Sequence, residues 1–137
     1  MANVVSTQVI LDGPRNVVIK VDGILDTSDL ASTVIIDPST YMVTEVSTQL
    51  RATKVRIYKI YPSIEDALEC RLAWDATTPV RILELTGRGK MDFSTFGGLV
   101  NNGGAGVTGK VLLSTEGWSA GKILSFSLIF ELVKQLT

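Results

Sequence analysis

The chain has 137 residues, 45% hydrophobic and 20% charged, with 13 basic and 14 acidic side chains, a formal charge of −1, one cysteine and no histidine. That length suits a single domain able to close a core without disulfide or metal, and that composition excludes an intrinsically disordered chain. The even charge argues against nucleic acid and against an anionic membrane surface, which both call for excess Lys and Arg, and the missing imidazole removes the usual triad base and the commonest metal ligand.

Taken in chain order, short apolar runs with a period near two alternate with turn residues, which predicts strands. The first residues, Met1 to Leu11, lack a basic region followed by an apolar run, so no secretory signal is expected. Nowhere do 18 apolar residues follow one another, so no bilayer-spanning segment is expected, and the chain should be soluble and fold in a cytoplasm. Residues 7–11 read as a strand. Residues 1–11 could reach a neighbouring subunit by strand addition, or form an edge strand of their own sheet. Asp12-Gly13-Pro14-Arg15 then turns the chain into residues 16–25, where Val17, Ile19 and Val21 alternate with Val18, Lys20 and Asp22.

Asp26-Thr27-Ser28-Asp29 offers carboxylates and hydroxyls without calcium-loop spacing, and reads as a self-bonded turn or helix cap. Residues 28–32 could make one helical turn, and Asp37-Pro38-Ser39-Thr40 is another turn signal. Val55 and Ile57 alternate with Lys54 and Arg56, but Ile57-Tyr58 and Ile60-Tyr61 break the phase, which predicts a bulge. Residues 63–66 separate this strand from the next, with one helical turn possible over 63–68. In residues 68–75, Leu68, Cys70, Leu72 and Trp74 face one way and Glu69, Arg71, Ala73 and Asp75 the other. Residues 75–79 form a turn.

Residues 87–109 hold eight of the twelve glycines, together with Phe93, Phe96 and Leu99. Long glycine-rich loops are usually functional or mobile, and these apolar side chains should either cap their own domain or dock on a neighbour. A strand over 111–115 and a turn over 117–121 carrying Trp118 follow. Trp118 could anchor an interface or fold back over the domain. The last strand lies in residues 123–134: Leu124, Phe126, Leu128, Phe130 and Leu132 fall on one face, Ser125, Ser127, Ile129, Glu131 and Val133 on the other. Ile129 and Val133 make that second face partly apolar. About eight or nine strands at hairpin spacing predict an all-β antiparallel β-sandwich spanning 1–137, with a jelly roll favoured and a long Gly-rich loop attached.

No catalytic residue, metal site or cofactor is expected. Gly104-Ala-Gly-Val-Thr-Gly109-Lys110 matches two phosphate-loop patterns by letter. Those patterns need a helix to follow, whereas Val111 to Thr115 reads as a strand and Val111 stands where a magnesium-binding hydroxyl belongs. Glu65, Asp66 and Glu69 sit in a turn or on a polar face, without the burial that raises an acid's pKa. Cys70 is expected to behave as a small buried hydrophobe, and no Gly-x-Ser-x-Gly elbow occurs.

Several stretches resemble small virion structural proteins of tailed bacteriophages. They are residues 1–8 (Met-Ala-Asn-Val-Val-Ser-Thr-Gln), 12–18 (Asp-Gly-Pro-Arg-Asn-Val-Val), 23–29 (Gly-Ile-Leu-Asp-Thr-Ser-Asp), 74–80 (Trp-Asp-Ala-Thr-Thr-Pro-Val), 85–91 (Leu-Thr-Gly-Arg-Gly-Lys-Met), 96–99 (Phe-Gly-Gly-Leu) and 101–109. The resemblance implies a component of the virion, assembled in the host cytoplasm, and carries no catalytic residue with it. Its favoured form is a capsid decoration, or cement, protein on the capsid surface. Such a protein binds itself, as a homotrimer, and the major capsid protein. The expected interface residues are Val4, Val5, Phe93, Phe96, Leu99, Trp118, Ile129 and Val133. A tail or connector component is the first alternative. A carbohydrate- or receptor-binding module using Trp118 and residues 87–109 is the second.

Overall fold

Period-two alternation is what a pleated strand between core and solvent requires, and the computed structural model, which describes residues 3–45 and 48–136, turns each strong run into a strand. The strands are β1 (Val4–Asp12), β2 (Asn16–Leu25), β3 (Thr33–Ile36), β4 (Met42–Glu45), β5 (Thr48–Arg51), β6 (Lys54–Ile64), β7 (Glu69–Trp74), β8 (Val80–Leu85), β9 (Met91–Asp92), β10 (Val111–Glu116) and β11 (Leu124–Gln135). They pair antiparallel into a five-stranded sheet, β1-β2-β11-β6-β9, a four-stranded sheet, β3-β10-β7-β8, and a separate β4-β5 hairpin. The chain is an antiparallel β-sandwich, as its patterning predicts. The two strands of the hairpin and the short β9 exceed the expected number, because none has enough alternation to be read locally.

The inner faces of the two large sheets form one core. Val17, Ile19, Val21 and Leu25 of β2 meet Leu128, Phe130 and Leu132 of β11 and Cys70, Leu72 and Trp74 of β7, all essentially without solvent contact. Each such side chain contributes roughly 1.5–3 kcal/mol by leaving water. Gly23 lies on the inner face in register with Phe126, and a Cβ there would stand 2.2 Å from the phenyl ring. The missing side chain is what lets the Phe126 ring lie flat across β2.

The phase break in β6 is a bulge. Glu131 pairs with Lys59 and Leu132 with Ile57, leaving Tyr58 as the extra residue. Two minor expectations need correction. No helical turn forms over 28–32. There the Asp29 carboxylate accepts hydrogen bonds from the Thr115 hydroxyl and the Trp118 amide, and Asn3 accepts from the amides of Asp26 and Thr27. The Asp26–Asp29 turn is thus fastened by distant residues as well as by its own Ser28 hydroxyl, which donates to the Asp29 carbonyl at 2.9 Å. Similarly, β6 runs on to Ile64, so only a tight turn with Leu68 N–H donating to the Glu65 carbonyl parts it from β7.

Lys134 continues the inner face of β11 beyond Leu132 and is 3% exposed. Its ammonium donates to Asp12 Oδ1 at 2.6 Å, the Gly13 carbonyl at 2.6 Å and the Met42 carbonyl at 2.5 Å. All three N–H donors are therefore satisfied. The β1-β2 turn, β4 and β11 meet at this one nitrogen.

Candidate functional site

An outward-facing surface is the feature that this sandwich leaves open. β1 is an edge strand, paired with β2 alone. Val5, Thr7 and Val9 lie in register with the inward positions Gly23, Val21 and Ile19 of β2. Val21 and Ile19 have no solvent contact, yet Thr7 and Val9 are exposed. A fifth strand facing a four-stranded sheet has nothing across from it, so β1 overhangs. Val9 is accordingly 48% exposed on the inner face, while Val4 at 57% and Leu11 at 59% are bare on the outer face and Ile10, the bulge residue, is 52% exposed. Ile24, beside Val4, extends this strip. Within residues 1–11, Val4 to Leu11 thus pair with β2 at the edge of their own sheet, and the first two residues lie outside the described ones.

Further across the sheet, over β11 and its neighbours, the outer face is polar around its aliphatic residues. Ser127 donates to Asp22 at 2.6 Å, Lys20 sits 3.4 Å from Asp22, and the Tyr61 hydroxyl donates to Glu131. That last bond, with burial second, raises the Tyr61 phenol above its usual range. Ile129 lies in register with Lys20 and Tyr61, and Val133 with Asn16 and Arg56. Both are half-buried among these polar neighbours.

Residues 87–109 do not form a free loop. Met91 and Asp92 add a short strand to β6, and Ile57 and Leu99 exchange backbone hydrogen bonds at 2.8 and 3.1 Å. The Phe93 amide donates to the Tyr58 carbonyl at 2.7 Å. Asp92 accepts from the Ser94 hydroxyl and amide, which holds its carboxyl below the usual range and closes a single 3₁₀ turn over Ser94–Phe96. Phe93 and Leu99 thus pack on their own core, while Phe96 stands 65% exposed with its ring edge-on to Phe93. At the sandwich end, Trp118 packs against the core and its indole N–H donates to the Lys122 carbonyl at 2.9 Å.

Of the eight expected interface residues, the structure brings Val4 and Val5 together on β1 and sets Ile129 and Val133 on the outer face. Phe96 stands alone, and Phe93, Leu99 and Trp118 turn inward. Val9, Ile10, Leu11 and Ile24 were missed. Their signal was present in the absence of any charge between Val4 and Leu11.

The groups with chemical potential are otherwise employed. The phosphate-loop lookalike leads directly into β10, and its backbone is tied to the β7-β8 turn, Thr77 N–H to the Ala105 carbonyl and Thr108 N–H to the Asp75 carbonyl. Glu65, beside an open depression of about 570 Å³, accepts from the Ser125 amide and hydroxyl, both at 3.1 Å. Burial, assisted by the Glu69 charge, pushes the Cys70 thiol from 9.0 up to about 12. Its folded value is raised, so the stability it confers is complete below pH 9 and lost as pH climbs towards 12. Tyr41, raised above 10.0 by burial and then by Asp12 and Asp37, acts in the same direction at still higher pH. Thermal melts from pH 8 upward are expected to show a falling Tm that Cys70→Ala makes less steep. In the native state iodoacetamide is expected to leave Cys70 unmodified.

The molecule is a β-sandwich with four exposed aliphatic residues, Val4, Val9, Ile10 and Leu11, on one edge strand, and others at Ile24, Val34, Leu50, Val100, Val107 and Ile123. No protein-family model matches the chain, and no curated protein sequence matches it.

Proposed function

We propose that the chain is a virion structural protein of a tailed bacteriophage, without catalytic activity, and that it decorates the capsid by binding the major capsid protein lattice. The observation that carries this reading is the sealed aliphatic core combined with apolar residues set outward on β1 and at Phe96. Surfaces of that kind mark association sites. The resemblance of residues 1–8, 12–18, 23–29, 74–80, 85–91, 96–99 and 101–109 to phage virion proteins supplies the biological setting. The order β2-β11-β6-β9 facing β3-β10-β7-β8 also supports the jelly-roll assignment, since it is the order two wrapped Greek keys produce. The copies assemble as homotrimers on the head.

The test uses phage heads stripped of this chain and the purified full chain. Co-sedimentation that saturates as an even layer over the shell is the expected result. Failure to bind overturns the reading, and binding confined to one vertex or the tail replaces it with a connector or tail role.

A further inference from the structure

We infer that β1 is a self-pairing edge, through which two copies of this chain join their five-stranded sheets across a two-fold axis. The inference stands apart from the virion reading and from the three-fold contact proposed with it. If both contacts form with their axes crossing at right angles, the copies close as a hexamer.

Edge strands invite pairing with another chain, and proteins blunt them by shortness, charge or proline. Among the described residues, each other edge is blunted. β3 has four residues and β9 two. β8 carries the exposed pair Arg81 and Glu84, and the short β4-β5 hairpin, four residues to a strand, carries the exposed Arg51. β1 has nine residues and, from Val4 to Leu11, neither charge nor proline, and its one bulge, at Ile10, lies beyond the Val5–Val9 stretch.

The occupant follows from the order of residues. Val4-Val5-Ser6-Thr7-Gln8-Val9-Ile10 reads aliphatic, aliphatic, polar, polar, polar, aliphatic, aliphatic from either end. Run antiparallel against itself about Thr7, the strand sets Val5 beside Val9 of the second copy, Ser6 beside Gln8, and Thr7 beside Thr7. Cross-strand pairs of like class stabilise antiparallel sheets, and no like charges are brought together. The overhang supplies room: Thr7 and Val9 have nothing across from them, so two copies meet edge to edge without displacing any strand. The joined overhangs then shelter Val9 of both copies.

Sedimentation of the full chain tests this. The expected mass is twice the 14.8 kDa of one chain, or another even multiple. Thr7→Lys places two ammoniums against each other at the axis and is expected to halve that mass. Thr7→Glu is expected to do the same. Thr7 is exposed, so both variants should keep the wild-type circular dichroism. Mixing the two is expected to restore the wild-type mass, because residue 7 faces residue 7 only in this register. A wild-type monomer or odd multiple overturns the inference. So does an unchanged mass in either variant, or a mixture that stays at half mass.

Discussion

Replacing Lys134 by alanine is expected to lower stability by about 3 kcal/mol, with a fall in Tm of roughly 10 °C, read by urea and thermal unfolding. Asp12 is 43% exposed, so its carboxylate can rehydrate when the ammonium leaves. The Gly13 and Met42 carbonyls lose a charged donor at a position closed to bulk water, and the methylene stem leaves a gap in the core. Lys134→Met keeps the stem and is expected to recover only part of the loss. Equal stability of Lys134→Met and wild type would show that the three hydrogen bonds contribute nothing net. Asp12→Asn keeps an acceptor in place and is expected to cost less than Lys134→Ala, since two of the three partners are carbonyls.

Gly109→Ala is expected to be more damaging still, by about 3 kcal/mol or more, with loss of soluble expression as the extreme outcome. Two effects add. The residue sits at φ +87°, where an L side chain is strained, and a Cβ would fall 2.0 Å from the Thr53 carbonyl oxygen, a backbone atom that cannot rotate away. Gly104→Ala, five residues earlier in the same loop, meets nothing within 4 Å and is expected to be near neutral. The pair separates the two readings of this glycine run. A phosphate cradle would depend on several of its glycines, whereas a tight backbone crossing depends on the one at the crossing. Comparative urea unfolding of the two variants decides between them, and equal losses would count against the crossing.

The inward faces of β2, β7 and β11 were legible in the sequence, down to Trp74 and Cys70 in the core and the bulge at Tyr58. Alternation is a local property of the pleat, so each strand announces its own two faces. The candidate surface was only half legible. Val4, Val5, Ile129, Val133 and Phe96 were identifiable as apolar residues without a partner on their own strand or loop. Phe93, Leu99 and Trp118 have the same local signature, but long-range bonds from their backbone amides, to β6 carbonyls for the first two and to the Asp29 carboxylate for Trp118, fold them inward. In β11 the alternation points Lys134 at the core, which composition alone would place in water.

By itself, then, the sequence determined the strand class, the core faces and the absence of imidazole chemistry, because each follows from neighbouring residues. The tertiary structure alone decided which strands adjoin, that five oppose four, and hence that β1 overhangs with Thr7 and Val9 bare on its inner face. It also decided that a lysine is buried under three acceptors. Those outcomes depend on pairings between residues as far apart as Asp12 and Lys134, and no local periodicity encodes a partner that distant.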